Sequence, residues 1–193
     1  MKNLIQIGFM LLVIYSLYNK DELQKKSNVS IQQNPQKVEK TDNKDYIIIR
    51  KLGNVEDSDV TDAINIIEDF YGYKCIVKSG VKITDGMKID GTDEILNAEK
   101  ILEKVENYDK TLFLVDKRIW FNGQMLRGFT DRSTTIVRGE KSFLRETIIH
   151  ELGHTLGLTH CDDKTCVMAL DNDEYDSGTF CKKCSRQIGF HKN

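Results

Sequence analysis

The 193-residue sequence predicts an α/β fold organised around a mostly parallel sheet. Three observations carry that expectation. Short β-branched or apolar runs, such as "YIIIRKL" (46 to 52) and "TLFLVD" (111 to 116), have the length and composition of buried strands. Other stretches place apolar residues at helical spacing. The two kinds of segment alternate, and a helix between strands is how parallel neighbours are usually connected.

Taken in order, the first strand runs to Gly53. A helix follows with Ser58 or Asp59 as its N-cap; Val60, Ala63, Ile64, Ile67 and Phe70 keep helical spacing until Gly72 stops it. "KCIVKSGVKI" (74 to 83) reads as extended, and Cys75 within it reads as a buried small hydrophobe. "TDEILNAEKILEKVENY" (92 to 108) predicts a second helix capped by Thr92, with Ile95, Ala98, Ile101, Leu102 and Val105 on one face. The strand at 111 to 116 is followed by a looser segment to about Asp131, then by the strand "STTIVRG" (133 to 139). Ser142 can cap a last long helix whose apolar positions include Leu144, Ile148, Leu152 and Leu156. Gly157 supplies the left-handed residue that commonly ends a helix.

The flanking composition divides the chain. Hydrophobic content is 39%, and the only proline, Pro35, sits in a polar run from 20 to 44 that is nearly free of large apolar groups. Such a run cannot bury enough surface to order itself, so it reads as a flexible linker. Residues 1 to 19 carry an apolar stretch, Leu4 to Tyr18. At ~1.5 Å per residue it falls short of a ~30 Å hydrocarbon core, and no small-x-small cleavage site follows. A signal peptide and a short membrane anchor both fit, and either places the protein as exported or anchored at the cell envelope through residues 4 to 18. The folded domain is expected over 45 to 193. With 28 basic and 30 acidic residues the net charge is -2, which argues against a nucleic-acid partner. A monomer is expected.

The chemistry concentrates in 150 to 184. The chain has four histidines and five cysteines, and "HELGHTLGLTHCDDKTC" (150 to 166) spends three and two of them. In His150-Glu151-x-x-His154, a spacing of four puts both imidazoles on one helix face within reach of one ion. After the turn at Gly157, His160 can approach the same ion from another direction. Three neutral nitrogens leave a fourth tetrahedral position open, as in a catalytic zinc site. Glu151 is not needed as a ligand; beside the open position it can act as general base and then as general acid. Cys161 and Cys166 form one pair, and Cys181 and Cys184 form another, which together match a closed four-thiolate zinc site. Two disulfides in an exported domain are one alternative. A nucleic-acid-binding zinc ribbon is another, prompted by Lys182, Lys183 and Arg186, but the weakly acidic chain disfavours it. His191, near the end of the chain, needs no role.

"HELGHTLGLTHCDDKTCVM" followed by "CKKC" resembles the archaemetzincin family of zinc metallopeptidases. The resemblance implies a metzincin-like fold: a twisted mixed β-sheet with backing helices, an active-site helix and a small zinc-bound C-terminal subdomain. It implies two zinc ions per chain, one catalytic and one structural, and a peptide or protein substrate. It makes Met168 the Met-turn residue beneath the three histidines, and makes the stretch around Met125 to Asp131 an antiparallel edge strand above the cleft. It also implies aminopeptidase action on short peptides. The spacer from Met168 to Cys181 is several residues shorter than the usual family form, and the apolar N-terminus is not a typical feature. No Met-x-Tyr pattern occurs, so Tyr175 reads as loop surface. The alternative function is a zinc-binding interaction module with little or no turnover, against which the intact Glu151 argues.

Overall fold

Strand β1 (Tyr46–Leu52) is the hub of the sheet, with β2 (Lys74–Val77) on one side and β4 (Thr111–Val115) on the other, both parallel to it. Strand β8 (Thr134–Arg138) pairs in parallel with β4, and β7 (Gly128–Asp131) closes the row antiparallel to β8. The order is therefore β2-β1-β4-β8-β7, mostly parallel with one antiparallel edge. A three-stranded sheet of β3 (Ile95–Asn97), β5 (Arg118–Phe121) and β6 (Gln124–Leu126) lies beside it. The computed structural model describes residues 46–105, 110–170 and 178–190. The apolar segment 1 to 19, the linker 20 to 44, Tyr175 and His191 lie outside these residues.

Burial explains why the strands read as continuous apolar runs. All five residues of β4 are buried. Alternate side chains serve opposite faces of the sheet: Leu112 and Leu114 join one core cluster, Phe113 and Val115 the other. The first cluster is sealed by helix α1 (Asp57–Tyr71) and helix α3 (Leu144–Thr155), through Val60, Ala63, Ile67, Leu144, Ile148 and Leu152. The second is sealed by the smaller sheet and helix α2 (Ala98–Lys104). Fully burying each such aliphatic side chain contributes ~1.5–3 kcal/mol before entropy is counted. A third cluster joins Phe70 and Ile149 to Cys166, Val167, Met168, Phe180 and Cys184, so the C-terminal part packs on the far side of α3. Helix α4 (Lys182–Gln187) belongs to that part.

Several local expectations change. Thr92 does not cap α2: Ile95 to Asn97 are taken into parallel pairing with β5, and the helix starts at Ala98. Asn97 caps it instead, its side chain accepting from Lys100 N at 3.1 Å. Helix α1 begins at Asp57, with Glu56 in the N-cap position and no side-chain bond there. Helix α3 begins at Leu144 after Phe143, not under a Ser142 cap. The supposedly loose segment before Asp131 contains three short strands: β5 and β6 form a hairpin, β7 forms another with β8, and β5 also pairs with the more distant β3.

The expected envelope placement is corrected. No helix among the described residues is long and apolar enough to cross a membrane. The longest of them, α1, has 15 residues and an amphipathic pattern that the sheet uses up.

Candidate active site

Helix α3 is held from three sides, which is why its sequence is not simply amphipathic. Leu144, Ile148 and Leu152 face the sheet, Ile149 faces the C-terminal cluster, and Thr147 and Glu151 are buried as well. His150 and His154 project from the remaining side. Their Nε2 atoms are 3.1 Å apart. The other nitrogen of each ring is tied to the backbone: His150 Nδ1 donates to Val167 O at 2.7 Å and His154 Nδ1 donates to Leu158 O at 2.8 Å. A proton fixed on Nδ1 leaves the Nε2 lone pair facing the shared space, the tautomer that a metal ligand requires.

Gly157 has φ +89 and accepts, through its carbonyl, a bond from Gln187 Nε2 at 3.2 Å. The chain thereby leaves the helix and returns His160, whose ring centroid lies 5.4 Å from that of His150 and 4.8 Å from that of His154. The donor atoms of the three imidazoles all lie within 4.8 Å of one another. A tetrahedral ion with bonds of ~2.0–2.1 Å spaces its ligands at about 3.3 Å, close to the His150–His154 separation. Burial, followed by the neighbouring imidazoles, pushes His150 down to about 4, so it is a neutral donor at ordinary pH. His160 is also lowered, chiefly by desolvation.

Glu151 is 7% exposed and reaches the cleft from the same helix. Burial pushes its carboxyl up to about 7, against the opposing pull of a hydrogen bond from Thr130. The Thr130 hydroxyl lies 2.7 Å from Glu151 Oε2, 3.1 Å from the Glu151 carbonyl and 3.2 Å from Thr135 Oγ1. The close approach depends on Gly128: a Cβ there would meet Glu151 Cγ at 2.6 Å and Thr147 Cγ2 at 2.8 Å. Thr130 and Gly128 were not marked by any pattern in the sequence, because their role comes from β7 lying across α3. Tyr71 is a third such residue. Its hydroxyl donates to the Ile149 carbonyl at 2.7 Å, tying the end of α1 to the residue before His150.

A cavity of about 670 Å³ opens over the imidazoles, walled by β7, by Phe121, Met125 and Leu126, and by Ala169 and Leu170. Met168 is fully buried, and a Cβ on Gly153 would meet its sulfur at 2.6 Å, so Gly153 is what lets Met168 pack against α3. The Met168 carbonyl accepts from Cys161 N at 2.9 Å, next to His160.

The four sulfurs of Cys161, Cys166, Cys181 and Cys184 also lie within 4.8 Å of one another, and none forms a disulfide. Cys161 and Cys181 sulfurs are 3.8 Å apart, the edge length of a tetrahedron with bonds of ~2.3 Å. Cys166 Sγ also accepts from Cys181 N at 3.3 Å. Desolvation raises the Cys166 and Cys184 thiols, so a set this close and this buried suits a divalent cation that displaces the protons.

A family model described as Peptidase family M54 matches residues 140–189, the stretch that carries both donor sets. Similar curated proteins include the archaemetzincin of Saccharolobus solfataricus, 29% identical over 119 residues, covering 48% of this chain and 64% of that protein. The archaemetzincin of Natronomonas pharaonis is 24% identical over 153 residues, covering 63% and 87%. Among solved structures, the archaemetzincin of Archaeoglobus fulgidus, crystallised with malonate, shares the fold with a TM-score of 0.64 at 21% identity, covering 74% of this chain and 99% of that one. That of Methanopyrus kandleri has a TM-score of 0.61 at 20% identity, covering 77% and 96%. These archaeal relatives lend no support to an envelope-anchored form. Motif, relatives and fold agree in their likeness to the archaemetzincins, a family of zinc metallopeptidases.

Proposed function

We propose that the protein hydrolyses peptide bonds as a zinc metallopeptidase, with His150, His154 and His160 holding the catalytic ion and Glu151 as general base and acid. The observation that supports it is the convergence of the Nε2 atoms beside a buried carboxylate at the floor of an open cleft. When bound, zinc supplies Lewis-acid chemistry, polarising the substrate carbonyl and activating water for attack. Glu151 takes the proton of the attacking water on its carboxylate and passes it to the leaving nitrogen. Thr130 keeps that carboxylate aimed, and the backbone bonds at Nδ1 keep the imidazoles aimed.

The second donor set, Cys161, Cys166, Cys181 and Cys184, holds a structural zinc in this reading, giving two ions per chain. Short peptides are the substrates, and removal of N-terminal residues, as the family resemblance implies, is the mode expected. Glu151→Gln tests the mechanism. The variant should keep its metal content and lose hydrolysis by at least ~10²-fold, because the proton carrier is gone while the ligands remain. Near-normal cleavage of a mixed peptide library by zinc-loaded Glu151→Gln would sink the mechanism. Absence of any cleavage by the zinc-loaded wild type would favour a zinc-binding module without turnover.

A further inference from the structure

We propose that the cleft selects peptides carrying carboxylate side chains beside the cleaved bond, and that Arg132 reads them. The proposal rests on the peptidase reading above and adds a substrate class to it. Among the described lining residues of the cleft, the charged groups are Arg127, Arg132 and Glu151. Glu151 is buried and held by Thr130, so among the described lining residues the exposed side chains with a fixed charge are the two arginines. A metal ion on the three imidazoles adds positive charge of its own. Apart from Glu151, no carboxylate among the described lining residues faces an incoming ammonium group.

The placement of the two arginines gives that charge a use. Strand β7 is the last strand of its sheet, so one side of its backbone is open to an added strand. Arg127 directly precedes β7 and Arg132 directly follows it. A four-residue strand is about 13 Å long, so the arginines bracket the stretch along which an extended peptide would pair. The Arg127 guanidinium lies over the Phe143 ring, 3.5 Å from its centroid, which helps to hold the charge in place.

Arg132 is the more available of the two. It is exposed, lines the cleft, and has no ion-pair partner among the described residues. Its φ of +53 puts it in the left-handed region, where the turn from β7 to β8 would suit Gly or Asn better. A long cationic side chain is thus kept at a position that local conformation disfavours. Beside the exposed Gln124 and His160, the cleft has apolar walls: Leu170 is 67% and Met125 44% exposed, and Phe121 packs on Phe129 at 4.4 Å. Apolar walls lower the local dielectric and strengthen the attraction between a guanidinium and a peptide carboxylate.

The test uses matched peptides that differ only in Glu, Gln or Lys at the positions flanking the cleaved bond. For the zinc-loaded full chain, kcat/KM should fall in the order Glu, Gln, Lys, with roughly tenfold between the extremes at low salt. Arg132→Gln should flatten the order and Arg132→Glu should reverse it. The same peptides are titrated by fluorescence anisotropy against zinc-loaded Glu151→Gln, where binding is read without turnover. The same order of affinities, flattened in the Arg132→Gln/Glu151→Gln double variant, supports the proposal even if the wild type cleaves nothing. That last result would overturn the peptidase reading alone. Equal binding of the three peptides, or a preference untouched by Arg132→Gln, overturns the selection of carboxylates while leaving the peptidase reading intact.

Discussion

Thr130 shows how one hydroxyl on an edge strand shapes the reactivity of a residue 21 positions away. Thr130→Val keeps the shape of the side chain and removes the donor to Glu151. Hydrogen bonds to charged groups contribute ~1.5–3 kcal/mol, so kcat should fall about tenfold or more with KM little changed, and Thr130→Ser should restore most of it. A loss confined to thermal stability, with kcat intact, would reduce Thr130 to a packing residue. Cys75 makes a different point, as the cysteine that neither donor set uses. Burial, then the nearby Glu68, pushes its thiol up to about 11. The thiolate is the reactive form, so at pH 8 only roughly a thousandth of the Cys75 side chains should react, and the rate should climb with pH until about 11. Iodoacetamide labelling of the zinc-loaded protein, followed by peptide mapping across that pH range, measures it. Fast labelling at pH 8 would mean that β2 opens from the sheet.

Strand β7 and helix α3 act as a pair, and Gly128 is their point of closest contact. Gly128→Ala introduces a methyl 2.6 Å from Glu151 Cγ, so strand and helix must separate. Overpacking of this kind costs ~1–3 kcal/mol, and here it also displaces the Glu151 carboxylate. Activity should therefore drop by more than the melting temperature suggests, which parallel activity and melting measurements will show. Helix starts give a second contrast. Asn97→Ala should destabilise the protein by ~1 kcal/mol because a formed cap is lost, whereas Ser142→Ala should change stability by less than ~0.5 kcal/mol. The sequence offers Thr92 and Ser142 as caps because both precede helical spacing. Asn97 is the cap because pairing with β5 claims the residues before it.

The C-terminal part and the main sheet meet through aromatic and sulfur contacts behind α3. Phe70 stacks on Phe190 at 5.0 Å and meets Phe180 edge-on at 5.5 Å, while Tyr71 reaches across to Ile149. The adjacency of His160 and Cys161 assigns neighbouring side chains to two donor sets, so order in one set aims the other. Cys181→Ser should lower zinc content from two ions towards one, as read by native mass spectrometry. It should also weaken retention of the remaining ion, although Cys181 touches neither the imidazoles nor the cleft. Two ions and unchanged activity in that variant would show that the sets are independent. The three described core clusters draw on residues from Ile47 onward, so a chain begun at Asp45 should fold, bind metal and show the full activity of the longer form.

Local patterns in this protein carry what local physics controls. A four-residue spacing on a helix determines that His150 and His154 share a face, a glycine determines where the helix can turn, and apolar runs determine which strands are buried. The three imidazoles and the carboxylate that meet in the cleft were legible for that reason: they lie within eleven consecutive positions. Tertiary structure decided what depends on segments meeting from afar. It made a short strand of residues that look like the start of a helix, and built three strands from a stretch with no strong pattern. It also brought Thr130, Gly128 and Tyr71 to the active-site helix. The pairing of Ile95–Asn97 with β5 and the contacts of Thr130 and Tyr71 with the helix join residues roughly 20 to 80 positions apart, and no spacing along the chain encodes them.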